Sequence, residues 1–400
     1  MDAPREVRHA LHVFPSFVPA GSQTRTAAII NGLGPRWRHS VLSMDGKDTA
    51  RALVDPDIRL DMVPAPKKAG LFGTLKDLQA LLRDLGPDLV CTYNWGSIET
   101  ILAVRSLAGF PLIHHEDGFG PDEKGGFKRR RIWARRYLLK RVPAVVVPSH
   151  NLGRIASDLW RVPAGRLHVV PNGVDLARFA KAEDGHTQGD LRAELGIPHQ
   201  AFVVGSVGHL RPEKNYPRLL HALAAARELA PHQDPRLLLV GDGDERAALE
   251  ALATELGLDG HVHFAGHRAD CAPAYRAMDV FCLSSDTEQM PISLVEAMAS
   301  SLPAVSTDVG DVRLMVPPEA SSNVVPLGPD SGSAGPDEAA MGLAGRFAAL
   351  AADPTERARL GELGRSKAHA EYAFDQMLRF YEDLYEGLVF GDAEGPGTSE

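Results

Sequence analysis

The fold of this chain is most constrained by a regular alternation of short apolar runs with amphipathic, helix-like segments. In the first half the segments that predict strands are His9–Phe14, Asp88–Cys91, Pro111–Ile113 and Ala144–Val147, and those that predict helices are Thr24–Leu33, Leu71–Leu85 and Ser97–Ala108. Short apolar strands separated by helices are typical of a mostly parallel sheet covered by helices. The first half therefore predicts an α/β domain.

A second series of the same kind follows a polar stretch, 180–200, which we interpret as a linker. Its predicted strands are Phe202–Val207, Leu237–Val240, Val262–Ala265, Val280–Ser284 and Ala304–Thr307, and its predicted helices include Tyr216–Leu229 and Glu245–Leu256. A chain of 400 residues has room for two or three domains. We expect two α/β domains at 1–180 and 190–370, followed by an amphipathic helix at 371–390.

Charge is distributed unevenly between the two halves. The net charge is −9, but residues 1–180 carry +9 and residues 181–400 carry −18. The basic half is suited to phosphates or anionic surfaces. The sequence has no apolar run long enough to span a bilayer, no signal peptide and no C-x-x-C pair among its three cysteines. We expect a cytoplasmic protein with no nucleic-acid partner.

The densest motif is SSDTEQMPISLVEAMAS, residues 284–300, in which a strand, a polar loop and a helix follow one another. Pro291 is well placed to begin the helix, and the free N–H groups at a helix start can bind an anion or hydroxyls. Glu288 lies in the loop and Glu296 in the helix, where a carboxylate facing a cleft can bind ribose hydroxyls. The alternative is that both glutamates are solvated surface residues.

A second motif is VVGSVGHLRPEKN, residues 203–215. Glycines at the end of a strand let a ligand approach the backbone closely. Arg211 and Lys214 follow just before a predicted helix, and two cations beside a helix start suit a diphosphate. The alternative is an ordinary connection with exposed charges.

Together these motifs resemble the retaining glycosyltransferases of family 4, which have the GT-B fold, two Rossmann-like domains that face each other across a cleft. Glu288-x7-Glu296 resembles the E-x7-E motif of that family, and GHLRPEKN resembles its phosphate-binding loop. The further segments that resemble the family are VVVPSHN (145–151), VVPNGVD (169–175), GDGDER (241–246) and VHFAGH (262–267).

The resemblance implies roles for donor-side residues. Arg211 and Lys214 would neutralise the diphosphate of the donor, Glu296 would bind its ribose, and Glu288 would contact the transferred sugar. The other residues implied at the donor site are Gly208, Gly241, Gly266, Met290, Pro291 and Ile292. Gln289 stands where many members have glycine, and donor preference is expected to depend on it.

The first domain is implied to bind the acceptor. FVPAGSQTR keeps only Gly21 of the family's usual glycine pair, and Arg25 follows it. Asn172 belongs to the VVPNGVD segment. The family also has a histidine after a central strand, here LIHHED, and the alignment leaves Asp117, His115 and His114 open for that role.

The resemblance implies a hexosyltransferase that moves a sugar from a nucleotide sugar to a glycan or lipid-linked acceptor in cell-surface polysaccharide or glycolipid biosynthesis. It implies retention of configuration and no metal or other cofactor, and family frequency favours a UDP-sugar. Two alternatives remain: a nucleotide-sugar epimerase of the same fold, and a non-catalytic nucleotide-sugar-binding protein. His261, His263, His267 and Cys271 could form a zinc cluster, but we interpret the first two histidines as residues on one face of a strand and expect no zinc site.

A basic, aromatic segment in the first half suggests a membrane partner. Residues 124–141 read KGGFKRRRIWARRYLLKR, with nine lysines and arginines and no acid. A basic helix with Trp, Tyr and Leu suits an anionic lipid surface. We expect a peripheral association with the inner face of a membrane, with Arg129, Arg130, Arg131 and Arg135 contributing charge. The alternatives are a solvated basic face and a site for an acceptor phosphate.

Overall fold

The computed structural model describes residues 7–67, 70–119, 128–180, 189–328 and 337–391. The chain divides into two compact units. Unit 1 comprises Met1–Gly173 and Asp375–Glu400, and unit 2 comprises Val174–Phe374. Most of the predicted linker, 181–188, and the first four residues of the basic segment, 124–127, lie outside the described residues.

Unit 1 is built on a parallel sheet of seven strands in the order β3-β2-β1-β4-β5-β6-β7. Its strands are β1 Arg8–Phe14, β2 Trp37–Ser43, β3 Leu60–Val63, β4 Leu89–Tyr93, β5 Leu112–His115, β6 Ala144–Val147 and β7 Leu167–Val169. Its first five helices are α1 Gly21–Leu33, α2 Gly70–Leu85, α3 Ile98–Leu107, α4 Arg129–Leu139 and α5 His150–Arg154.

Unit 2 has a second parallel sheet, with six strands in the order β10-β9-β8-β11-β12-β13. Its strands are β8 Val203–Val207, β9 Arg236–Val240, β10 Val262–Gly266, β11 Val280–Leu283, β12 Ala304–Thr307 and β13 Val324–Val325. Its helices are α6 Leu176–Phe179, α7 Gly189–Glu194, α8 Tyr216–Leu229, α9 Arg246–Glu255, α10 Ala272–Arg276, α11 Ile292–Ala299, α12 Val312–Met315, α13 Glu338–Ala352 and α14 Pro354–Glu371.

The last helix, α15 Phe374–Phe390, packs within unit 1. Its Tyr385 contacts Trp37 edge-to-face at 5.4 Å between ring centroids, and its hydroxyl lies 3.4 Å from the sulfur of Cys91. Tyr381 stacks on His115 at 5.7 Å. The apolar face of this helix thus covers the middle of the sheet, where β2, β4 and β5 carry those partners.

In each sheet the first strand lies in the interior. The next two strands lie on one side of it and the remaining strands lie on the other side. The strand order reverses between β1 and β4 in unit 1, and between β8 and β11 in unit 2. Ligands of open α/β sheets bind beyond the carboxyl ends of the strands at such switch points. The predicted α/β class with two Rossmann-like units is confirmed, and the switch points direct attention to the loops after β1, β4, β8 and β11.

Candidate active site

The loops after β8 and β11 bring Lys214 and Glu288 together in unit 2. Lys214 Nζ lies 2.5 Å from Glu288 Oε1, and the two side chains are 22% and 14% exposed. Ser285 Oγ donates to the same carboxylate oxygen at 2.9 Å. The two loops are joined by their backbones too, since the Asp286 N–H donates to the Glu213 carbonyl at 2.9 Å. Two residues predicted from separate motifs therefore form one partly exposed ion pair at the switch point.

Three predicted glycines lie side by side at the carboxyl ends of β8, β9 and β10. The Gly208 N–H donates to the Val240 carbonyl, and the Gly241 N–H donates to the Gly266 carbonyl, both at 2.9 Å. Gly241 has φ 138°, and a Cβ there would collide with the Gly208 carbonyl oxygen. Any side chain at position 241 would push these strand ends apart, which explains the glycine.

Helix α11 begins one residue later than predicted, with Pro291 as its N-cap residue. Met290 and Pro291 are buried and Ile292 is half-buried. Behind them, a Cβ on Gly310 would collide with the Glu288 carbonyl oxygen, and the Asp311 N–H donates to the Gln289 carbonyl at 3.1 Å. The loop that carries Glu288 is therefore held tightly against the segment after β12.

Glu296 has a different environment from Glu288. The hydroxyl of Tyr275, in α10, donates to Glu296 Oε2 at 2.6 Å. Burial raises the pKa of Glu296, while the bond from Tyr275 acts in the opposite direction. Tyr275 was not predicted, because it precedes Glu296 by 21 residues and no motif connects them.

Arg211 lies just before a short 3-10 turn, Pro212–Lys214, and its side chain is exposed. Within the part of the chain that the structure describes, it forms no ion pair. An exposed guanidinium three residues before a partly exposed ammonium could offer an anion two cationic contacts.

In unit 1 three predicted residues form one cluster. Arg25 Nη1, in α1, lies 2.6 Å from Asp117 Oδ1, after β5, and donates to Asn172 Oδ1 at 3.1 Å. Arg25 is 5% exposed, and the Asp117 side chain is 15% exposed. Burial raises the pKa of Asp117, with the Arg25 charge opposing that shift. Gly21 is exposed at the start of α1, with no atom within 4 Å of where a Cβ would stand.

Asn94, which was not predicted, fixes the backbone of Asp117. Its Oδ1 accepts the Asp117 N–H at 2.8 Å, and its own N–H donates to the His115 carbonyl at 2.7 Å. Asn94 has φ 56°, which Asn tolerates better than most residues. The available signal was its position, directly after β4 at the switch point.

The two histidines before Asp117 point to opposite faces of the sheet. His114 is fully buried and contacts Thr92 Oγ1 at 2.9 Å and Glu116 Oε2 at 3.3 Å. His115 is 1% exposed and stacks on Tyr93 at 4.5 Å between ring centroids. Burial holds the pKa of His115 well below its ordinary value, so its ring is neutral. Of the three candidates for the acceptor-side role, Asp117 is the most accessible.

The basic segment forms α4, and it shows that one expectation was wrong. Arg135 is fully buried, so it adds no charge to the surface. Its guanidinium donates to both carboxylate oxygens of Glu116, at 2.9 and 3.1 Å, and lies about 5 Å from the rings of Trp95 and Trp160. Trp133 and Tyr137 are 65% and 56% exposed. The other exposed members among the described residues are Arg129, Arg130, Lys140 and Arg141.

No described group of three or more His, Cys, Asp or Glu side chains is arranged to hold a metal ion. His263 contacts the Leu195 carbonyl through Nδ1 at 3.1 Å, and His261 lies 3.4 Å from Asp234. These contacts tie β10 to its neighbours. Among the described helices, none has the length and apolar character needed to cross a membrane.

Comparison with known proteins connects this geometry to a family. Residues 187–367 match the family described as Glycosyl transferases group 1, and residues 20–173 match a Glycosyl transferase 4-like domain. A GDP-mannose-dependent alpha-mannosyltransferase of Mycobacterium tuberculosis is 30% identical over 299 residues, which are 71% of this chain and 73% of that protein. The chain belongs to the group 1 glycosyltransferases. The predicted family is thereby confirmed.

Two further comparisons show how much of the chain resembles other glycosyltransferases. A D-inositol 3-phosphate glycosyltransferase of Corynebacterium efficiens is 29% identical over 245 residues, and the match covers 57% of each chain. The chain therefore spans little more than half the length of that relative. Anabaena HepE, crystallised in complex with UDP, superimposes with a TM-score of 0.79 at 21% identity, over 95% of this chain and 100% of HepE. That likeness concerns the fold.

Proposed function

We propose that this chain transfers a sugar from a nucleotide-sugar donor, bound by unit 2, to a glycan or lipid-linked acceptor, bound by unit 1. The observation that carries the proposal is the Lys214–Glu288 pair at the switch point of unit 2, beside the exposed Arg211 and the three strand-end glycines. Family membership supports the class of reaction, and the solved complex of HepE with UDP supports a nucleotide donor.

On the donor side, Arg211 and Lys214 bind the diphosphate and stabilise its charge as it leaves, so that no metal is required. The carboxylate of Glu296 binds the ribose hydroxyls, with Tyr275 fixing its orientation. Glu288 contacts the transferred sugar, and Met290, Pro291 and Ile292 line the sugar pocket. The family resemblance supports retention of configuration at the sugar.

On the acceptor side we assign the role left open in the sequence to Asp117. Its side chain is the most exposed of the three candidates, and its buried Oδ2 has no hydrogen-bond partner among the described residues. Arg25 contacts the other oxygen of Asp117, Oδ1, and Arg25 in turn donates to Asn172. His114 and His115 are both buried and contact other residues, Thr92 and Glu116 in one case and Tyr93 in the other.

The exposed face of α4 supports association with an anionic membrane surface, where a lipid-linked acceptor is found. Two exposed cationic residues in α4 and two directly after it accompany two exposed aromatic rings. Each cation near such a surface contributes about 1 kcal/mol, and exposed Trp and Tyr suit the interface.

A thermal-shift screen of nucleoside diphosphates and nucleotide sugars tests the donor proposal. A ligand that binds only the folded protein raises its melting temperature. We expect a uridine or guanosine diphosphate sugar to do so, and turnover to survive excess EDTA. Conversion of the donor alone into another nucleotide sugar would identify an epimerase, and binding without turnover on any acceptor would favour the non-catalytic alternative.

A further inference from the structure

The loops that carry Lys214 and Glu288 share a buried anchor, Arg218, in the first turn of α8. Arg218 is 2% exposed, and its guanidinium has partners in three directions. Nη1 donates to the Ser284 carbonyl at 2.7 Å, Nη2 lies 2.8 Å from Asp286 Oδ1, and Nε donates to Asp337 Oδ2 at 2.8 Å. One side chain thus connects the end of β11, the loop that follows it, and the start of α13, which Asp337 caps.

Asn215 also contacts the loop after β11, through Asp286. Its backbone is left-handed, with φ 45°. Its Oδ1 accepts the Arg218 N–H at 3.2 Å, while its Nδ2 donates to Asp286 Oδ1 at 3.1 Å. Asp286 is therefore held by an ion pair with Arg218 and by a hydrogen bond from Asn215, the residue that follows Lys214.

This network sets where Glu288 stands. Only one residue separates Asp286 from Glu288, and Ser285 also bonds to the Glu288 carboxylate. Ser284 Oγ donates to the Lys214 carbonyl at 2.9 Å, so the same anchor reaches the lysine loop. Arg218 lies behind both loops and touches neither the Lys214 ammonium nor the Glu288 carboxylate in any described contact.

We infer that Arg218 is a positioning residue that fixes the Lys214–Glu288 pair for the sugar donor, an inference that rests on the proposed function and deepens it. A guanidinium can reach three partners in one plane, whereas a lysine ammonium presents its donors from a single atom. Arg218→Lys keeps the buried charge opposite Asp337 but cannot also hold Ser284 and Asp286. The pair then loses its fixed spacing, and small displacements of such groups reduce turnover strongly.

A double-mutant cycle on UDP-glucose tests this inference, with UDP release measured as kcat/KM for wild type, Arg218→Lys, Glu288→Gln and the double variant. We expect Arg218→Lys alone to lower kcat/KM by about tenfold. If Arg218 acts through Glu288, the same change made in Glu288→Gln costs less than about threefold, because there is no longer a carboxylate to position. Equal losses in both backgrounds would overturn the inference.

Arg192→Lys is the matched control. Arg192 is also buried, at 4% exposure, and donates to the Ala277 carbonyl and to Asp279, both at 2.8 Å, at the opposite end of β11. We expect it to reduce stability without any coupling to Glu288. If Arg218→Lys does not fold, Asp286→Asn takes its place in the cycle, since it keeps the bonds of Arg218 to Ser284 and Asp337.

The same four measurements separate this inference from the proposed function. If Glu288→Gln releases UDP as fast as wild type, the proposed donor site fails whatever Arg218 does. If Glu288→Gln is impaired and the two losses simply multiply, only the positioning role fails.

Discussion

Lys214 and Glu288 form an ion pair, and this pairing bears on how the proposed donor site would receive a diphosphate. At 2.5 Å, Glu288 occupies a contact that a phosphate oxygen also needs. Binding a nucleotide therefore requires the ammonium to be shared or exchanged between two anions. Under the proposed function the carboxylate serves contact with the sugar and not affinity for the nucleotide.

We predict that Glu288→Gln tightens the binding of UDP about three- to tenfold while lowering transfer at least tenfold. A neutral amide no longer competes with the phosphates for Lys214, but it also cannot support charge at the sugar. Isothermal titration calorimetry with UDP and an assay of transfer measure the two effects. Glu296→Gln is the control, and it should weaken UDP binding. Weaker binding by Glu288→Gln would mean that Glu288 holds the nucleotide itself.

Lys214 and Glu288 could be expected to lie close together because each is in the loop after a strand, and parallel strand ends meet at one edge; the structure pairs them. The sequence could not locate the residues behind them. Tyr275 and Arg218 act through contacts to residues 21 and 68 positions away, and nothing in their local sequence marks them. On the acceptor side the sequence left Asp117, His115 and His114 open, and the structure shows that both histidines are buried.

At the level of elements, β2 was not predicted because its polar residues look like a loop. His39 and Ser40 of β2 are both buried. Each has a polar partner in β1: His12 Nε2 lies 3.1 Å from His39 Nδ1, and His9 Nε2 lies 2.8 Å from Ser40 Oγ. The strand is stable because β1 supplies a polar partner for each. Arg135 was misjudged for the same reason, since its carboxylate partner, Glu116, comes directly after β5.

The buried histidines predict loss of stability in mild acid. Burial lowers the pKa of His12 well below its ordinary value and that of His39 to about 3. Because the folded pKa lies below the unfolded value, this stability is complete above about pH 7, begins to be lost below about pH 6.5 and continues to fall until the folded pKa, about 3 for His39, is reached. Each such histidine costs about 1.3 kcal/mol between pH 7.5 and 5.5.

Urea unfolding at the two pH values measures this effect, and His39→Gln is the informative variant. We expect its free energy of unfolding to fall less than that of wild type over this range, by about 1 kcal/mol. His199→Gln, which changes an exposed histidine of unit 2, should leave the wild-type difference intact. An identical drop in wild type and His39→Gln would show that His39 does not titrate on unfolding.

The exposed face of α4 predicts binding to anionic vesicles at low salt. The triple variant Arg129→Gln/Arg130→Gln/Trp133→Ala should lose co-sedimentation with phosphatidylglycerol vesicles while still binding UDP. High salt should release the wild-type protein, since screening weakens the attraction. Arg51→Gln/Arg59→Gln removes two exposed charges elsewhere in unit 1 and should still sediment. If wild type ignores the vesicles at low ionic strength, the proposed membrane surface is wrong.

At the scale of the whole molecule, unit 1 is assembled from two distant stretches of chain. The chain leaves it at Gly173 and returns at Asp375, and at that point Val174 pairs with Ala373 in unit 2. Helix α15 then supplies Tyr381 and Tyr385, which are fully buried against the sheet of unit 1. Unit 1 therefore depends on the last part of the sequence, whereas unit 2 is continuous.

Each unit contains one fully buried cysteine, and labelling of that cysteine reports when the unit opens. Cys91 lies in β4 of unit 1, beside Tyr385, and Cys282 lies in β11 of unit 2. In moderate urea a thiol reagent reaches either residue only when its unit opens. UDP at about 100 times its Kd should slow labelling of Cys282 by up to about 100-fold and leave Cys91 unchanged, because a ligand stabilises only what it binds.

Mass spectrometry of the labelled peptides distinguishes the two cysteines. Lys214→Ala is the control: it is expected to weaken UDP binding, so UDP should protect Cys282 less in this variant. Tyr385→Ala should speed labelling of Cys91 alone, since it removes the ring that covers the thiol. Equal protection of both cysteines would mean that the two units open as one cooperative block. Protection of Cys91 without Cys282 would place the nucleotide on unit 1 and refute the assignment of the donor to unit 2.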